Sequence, residues 1–124
     1  MATEGTGADG VERLPAQAFD GDRLARPGTW AVAFVADWCP FCRRFRPEFE
    51  ALPGTVGFRR GWGDVTDLES PLWDSFHLEV VPTVVAFRDG AVVFRIDGVA
   101  GVGLGPADLD ALRQALADPP ARPG

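Results

Sequence analysis

The sequence has no lysine, no tyrosine and no asparagine. Its 124 residues include two cysteines, one histidine and one methionine. The cysteines, Cys39 and Cys42, lie three positions apart and would close only a trivial loop, which excludes a disulfide-stapled scaffold. One histidine, His77, and no third cysteine leave an intrachain structural zinc site short of its four ligands, so no metal is expected. No apolar run approaches the roughly 20 residues of a membrane-spanning helix, and no membrane association is expected. Met1–Gly10 has neither the basic stretch nor the apolar stretch of a secretory signal, so a cytoplasmic location is expected. All twelve basic residues are arginine, set against 18 acids for a net charge of -6. With no dominant basic stretch, that balance argues against an electrostatic nucleic-acid binder.

What is present reads as one domain. A chain of this length buries roughly two-thirds of its unfolded surface and can build a core without staples. Residues 1–10 are small, polar and glycine-rich and read as a disordered tail. Residues 118–124 read as a frayed end, which leaves 11–117 as the domain. The strongest strand is 30–36, a short continuous apolar run suited to burial on both faces. A helix is expected over 40–52, with Pro40 at its first position and Pro47 as an internal kink. Phe41, Phe45, Phe49 and Leu52 form its apolar stripe, and Pro53-Gly54 should stop it. A weaker strand, diluted by Arg59, Arg60, Gly61 and Gly63, falls within 55–65.

A helix over 68–78 should turn Leu72, Trp73 and Phe76 inward. Strands at 83–87 and 91–96 flank Arg88-Asp89-Gly90, a hairpin signal. A last helix covers 106–117. Before Trp30 the pattern is poor, with a short strand over 11–14 and a helical turn over 19–24. Strands alternating with helices imply an α/β fold with a parallel sheet flanked by helices, to which the closing hairpin adds antiparallel strands at one edge.

The segment Trp38-Cys39-Pro40-Phe41-Cys42 lies where the buried strand turns into a helix. Residues i and i+3 on a helix face have Cβ atoms about 5–6 Å apart. A disulfide needs about 3.8 Å, so small adjustments let the pair cycle between dithiol and disulfide. The positive helix end favours a thiolate at Cys39, the expected nucleophile. Cys42, one turn in, is expected to be more buried and to resolve the mixed disulfide. Arg43 and Arg44 add positive charge nearby, and Asp37 subtracts some.

From Val32 through Cys42 the chain resembles the strand, active-site loop and helix start of the thioredoxin family. Pro47 matches that family's kinking proline. Val81-Pro82-Thr83, followed by an apolar strand, resembles its cis-proline loop, and the strand, Asp-Gly turn, strand and final helix occur in its order. The resemblance covers about residues 11–117. It implies a thioredoxin fold, a central mixed sheet flanked by helices, and a thiol–disulfide oxidoreductase. No cofactor beyond the redox-active disulfide Cys39–Cys42 is implied.

The partners implied are disulfide-containing proteins and, as electron donor, a reductase or a low-molecular-weight thiol. The chain has no glycine-rich dinucleotide fingerprint of its own. The resemblance also makes Trp38, Pro40, Phe41, Val81 and Pro82 substrate-contacting residues, with Val81 and Pro82 holding an extended chain by backbone pairing. Gly98, Gly101 and Gly103 fall where the family has a third substrate loop. Trp30, Trp62 and Trp73 read as packing.

Two departures stand out. The family's buried acid, six residues before the first cysteine, is Ala33 here, and the lysine that partners it is absent. Asp37 is a candidate to carry protons in its place. The dipeptide Pro-Phe resembles glutaredoxins and oxidising bacterial disulfide oxidoreductases more than thioredoxins. A non-catalytic binding or regulatory module on the same fold is the alternative reading.

Overall fold

The apolar run Thr29–Val35 forms β4, the middle strand of a five-stranded sheet. Every residue from Trp30 to Val35 is buried, as suits a strand covered on both faces. The structure is a computed structural model that describes residues 10–52 and 57–117. In chain order it contains β1 (Val11–Leu14), a 3-10 turn (Ala16–Ala18), β2 (Phe19–Asp20), β3 (Arg23–Leu24), β4, α1 (Pro40–Glu50), β5 (Arg59–Asp64), α2 (Leu72–Ser75), β6 (Thr83–Arg88), β7 (Ala91–Asp97) and α3 (Pro106–Ala117). Residues 1–9 of the tail expected over 1–10, the helix stop at Pro53-Gly54 and the expected fray over 118–124 lie outside the described residues.

The large sheet runs β1-β5-β4-β6-β7. β5 is parallel to both β1 and β4, whereas β6 is antiparallel to β4 and β7 to β6. The sheet is therefore mixed and flanked by helices, with its antiparallel half at the edge built by the Asp89-Gly90 hairpin. Both turn residues have positive φ, 52° and 93°, the signature of a type I′ turn.

The helical turn expected over 19–24 is instead a small antiparallel hairpin, β2 with β3. Gly21, at φ 59°, makes its turn. Phe19 is drawn into an aromatic cluster with Phe34, Phe76 and Phe87, whose ring centroids lie between 4.8 and 6.2 Å apart. Tertiary burial of that ring overrides the weak local pattern.

The helix expected over 68–78 shrinks to α2. Its first half is held in a turn, because the Asp67 carboxylate accepts from Glu69 N–H and the Ser70 hydroxyl from Leu72 N–H. Its end is set by His77, which has φ 49°. Leu72 and Phe76 are buried as expected, while Trp73 is only half-buried.

The glycines that dilute β5 are there because of its neighbours. A Cβ on Gly61 would come 2.5 Å from Leu14 Cδ1, and one on Gly63 would come 2.5 Å from Phe34 Cδ1. β5 thus gives up side chains so that those of β1 and β4 can lie across it. Arg60, on the same strand, is buried, and its guanidinium donates to the carbonyls of Phe49 and Glu50 at 2.6 and 3.1 Å. A cation there satisfies the last carbonyls of α1 and complements its negative end.

Phe34 cannot retreat from Gly63, because the rings of Phe19 and Phe76 confine it. Gly63→Ala is therefore expected to destabilise the protein by about 1–3 kcal/mol, read as a lower urea midpoint at unchanged slope.

Candidate active site

Cys39 is the residue that precedes α1, in extended conformation (φ -98°, ψ 116°). Pro40 opens the helix, where a missing N–H costs nothing. The Cys39 amide donates to the Ala36 carbonyl at 3.2 Å, and its own carbonyl accepts from Arg43 N–H at 3.2 Å. Both thiols are free. Cys39 is 5% exposed and Cys42 fully buried. Burial pushes the Cys42 thiol up to about 12. The hydrogen bond and charge of Cys39 push the same way, against a hydrogen bond from the Ala36 backbone and the charge of Arg46.

The Val81–Pro82 bond is cis, and the Cys39 thiol donates to the Val81 carbonyl at 3.5 Å. Pro82 is buried beside it. The Thr83 hydroxyl donates to the Val80 carbonyl at 2.8 Å, and Gly98 N–H to the Pro82 carbonyl at 2.9 Å. A Cβ at position 98 would come 2.5 Å from that carbonyl oxygen, so the close approach requires glycine. Gly103 rests on Phe41, where a Cβ would come within 3.0 Å, whereas Gly101 faces open space. Arg44 ties this loop to α1, donating to the Val102 carbonyl at 3.0 Å with its guanidinium over the Phe41 ring.

Trp38 is 51% exposed. Its indole N–H donates to the Thr66 carbonyl at 2.9 Å, and its ring lies parallel to that of Trp73, centroids 6.4 Å apart. Trp73 is held in turn by the Asp67 carbonyl at 3.2 Å. Sequence reasoning assigned Trp73 to packing, and the structure brings it to the site. No local pattern signals this, since Trp73 reaches Trp38 only through the fold. Trp38, Pro40, Phe41, Trp73, Val81 and Val99 line an apolar groove of about 270 Å³ over Cys39. Trp30 and Trp62 are buried.

Ala33 is fully buried, and its partner across to β5 is Trp62. Asp37 is exposed. Its amide is held by the Thr66 hydroxyl at 2.9 Å, and its carboxylate pairs with Arg46 at 3.2 Å. At the end of β5, Asp64 accepts from the amide and hydroxyl of Thr66 at 2.8 and 2.5 Å and pairs with Arg13 at 3.3 Å. Burial works to raise the Asp64 carboxyl, but the Thr66 hydrogen bonds, Arg13 and Arg46 together outweigh it and hold it below its usual value. Among the described residues, no group of three or more His, Cys, Asp or Glu could hold a metal ion, and no helix is long and apolar enough to cross a membrane. His77 lies exposed beyond α2.

The family model for thioredoxin matches residues 10–104. The chain belongs to the thioredoxin family. Within it, the chain is 34% identical to protein disulfide-isomerase A3 of Gallus gallus over 96 residues, which is 74% of this chain and 18% of that protein. It is 29% identical over 87 residues to a thioredoxin of Mycolicibacterium smegmatis, 68% of this chain and 78% of that one. A mutant thioredoxin from Halobacterium salinarum NRC-1 superposes with a TM-score of 0.67 at 25% identity, covering 90% of this chain and 91% of that one. The chain spans between 14% and 30% of the length of the first three curated relatives it matches.

In this thioredoxin-family chain, the lowered Asp64 carboxyl contributes stability that is present above the unfolded value, about pH 3.9, and is lost as pH falls through the folded value. Asp64→Asn is expected to cost about 0.5–1 kcal/mol at neutral pH, given the group's partial exposure. Chemical denaturation across pH should show the gap closing below about pH 4.

Proposed function

We propose that the protein is a thiol–disulfide oxidoreductase acting on protein disulfides. The observation that carries this reading is the Cys39 thiol set against the Val81 carbonyl, beside cis-Pro82, at the floor of an apolar groove. The Cys39 thiolate attacks one sulfur of a substrate disulfide. That disulfide breaks, and its other sulfur leaves with the electron pair. Cys42 then attacks Cys39, the Cys39–Cys42 bond forms, and the second substrate sulfur leaves. The substrate gains two electrons, the pair loses two, and protons exchange with solvent.

Around that chemistry, Val81 and Pro82 offer backbone to an extended substrate segment. Trp38, Pro40 and Phe41 supply apolar contact beside the nucleophile. The working unit is residues 11–117. The reduced pair is regenerated by a partner reductase or a low-molecular-weight thiol, as suits a dithiol working in the cytoplasm. The alternative, a binding module with idle cysteines, draws support from the apolar pair Ala33 and Trp62, which supplies no acid or base.

Insulin reduction by dithiothreitol separates the two. The wild type is expected to accelerate precipitation of the insulin chains, and Cys39→Ser to abolish the acceleration. Cys42→Ser is expected to accumulate a mixed disulfide, visible on a non-reducing gel. Equal acceleration by wild type and Cys39→Ser would overturn the exchange reading.

A further inference from the structure

Cys42 has to act as an anion in a place that disfavours one. It is fully buried. Ala33 and Trp62, neighbours across β4 and β5, are buried too and carry nothing that ionises. Trp62 lies under α1, its ring 5.2 Å from that of Phe49.

Arg46 follows Cys42 by one helical turn and so shares its face of α1. Its guanidinium sits over the Trp62 ring at 5.1 Å, and one of its nitrogens pairs with the Asp37 carboxylate at 3.2 Å. Asp37 is itself held through its amide by Thr66. The cation is therefore fixed from below by an indole and from outside by a carboxylate. Its side chain is 27% exposed, so salt screens it less than a free surface charge.

Three other charged groups lie nearby. Arg43 donates to the Asp37 carbonyl. Asp64 of β5 is bound by Thr66 and by Arg13 of β1, and Glu79, ahead of the cis-proline, is exposed at the groove. In the reduced pair, Cys39 opposes ionisation of Cys42. In a mixed disulfide, Cys39 carries no thiol proton and no charge. The opposition from Cys39 is then gone, and the attraction of Arg46 remains.

We propose that Arg46 is a positioning residue for the resolving step, its guanidinium stabilising the Cys42 thiolate as that sulfur attacks the mixed disulfide. An arginine stays charged and takes no proton, so it makes the anion less costly without acting as a base. The Cys42 proton goes to solvent, the Cys39–Cys42 bond forms, and the Cys39–substrate bond breaks with its electron pair leaving on the substrate sulfur. The inference rests on the exchange reading above.

The test is a stopped-flow reaction of the reduced protein with a limiting amount of a chromogenic aromatic disulfide. The first thiolate released reports attack by Cys39, and the second reports attack by Cys42. Arg46→Met keeps a long side chain over Trp62 but removes the charge. It is expected to slow the second phase about threefold near neutral pH, the effect of about half a pKa unit, and to leave the first unchanged. The second-phase pH profile should move upward. Arg46→Lys should recover most of the rate, and added salt should slow the second phase of the wild type but not of Arg46→Met.

A second phase unchanged in Arg46→Met, equal slowing of both phases, or a lysine variant as slow as methionine would each overturn the role of Arg46. Absence of the first phase in the wild type would instead overturn the exchange reading. Should Arg46→Met fail to fold by circular dichroism, the lysine variant and the salt response of the wild type decide the matter.

Discussion

Because β4 is paired on both edges and buried on both faces, its C-terminal end is held rigidly, and the other loops of the site are placed relative to it. β5 is parallel to β4 and pairs Asp64 with Val35, so its exit delivers Thr66 to the same end. Thr66 then holds Asp37 by its hydroxyl and Trp38 by its carbonyl. β6 is antiparallel and pairs Thr83 with Phe34, so its entry brings Pro82 there as well. β7, antiparallel to β6, pairs Asp97 with Thr83 and brings in Gly98. Four loops distant in sequence meet at the start of α1 because strand direction alternates in this way across the sheet. The contact between the Cys39 thiol and the Val81 carbonyl is a product of that topology.

A chain without lysine does its cationic work with arginine alone, and the structure uses what distinguishes the two. Arg26 and Arg59 both lie over Trp30, Arg44 over Phe41, and Arg46 over Trp62. A planar guanidinium stacks on a ring while its edge still donates hydrogen bonds, which an ammonium does less well. Arg60 goes further into the core, where one guanidinium nitrogen donates to two helix carbonyls at once. The compositional bias thus has structural consequences, even if it did not arise for them.

Features set by local chemistry were legible in the sequence. The apolar run of β4, the Trp-Cys-Pro-Phe-Cys turn into α1, the Asp89-Gly90 hairpin and α3 each carry their own signal within a few residues. The features missed are set by distant partners. β5 looked weak because Gly61 and Gly63 make room for Leu14 and Phe34, and nothing in its own seven or so neighbours says so. The β2–β3 hairpin depends on an aromatic cluster assembled from four elements. α2 is short because Asp67 and Ser70 divert the backbone amides that would have begun a longer helix. Trp73 and Arg46 both carry ordinary local signals, a half-buried aromatic and a helix-surface cation. Their place at the site appears only when the sheet brings Trp38 and Trp62 to meet them.

Burial of Cys42 poses a quantitative problem that the geometry goes far to answer. A thiol pushed up to about 12 is ionised to only about one part in 10⁵ at neutral pH. Against a free thiol in solution, that handicap would be prohibitive. In the proposed exchange, however, Cys42 attacks a sulfur fixed three residues away, and well-oriented intramolecular reactions reach effective concentrations of about 10⁵ M or more. Relative to an ordinary thiol at 9.0, the shift to about 12 costs about a thousandfold in thiolate, less than that advantage, so a buried resolving cysteine can compete. The handicap also falls once Cys39 is in a mixed disulfide, because its charge and hydrogen bond no longer oppose Cys42. Burial then has a benefit of its own, since a thiol that reaches no solvent meets no disulfide except the one Cys39 presents. What the site needs beyond proximity is a modest further bias toward the anion. In a sheet that carries Ala33 and Trp62 where a charged pair could stand, a fixed cation one helical turn from Cys42 is placed to supply it.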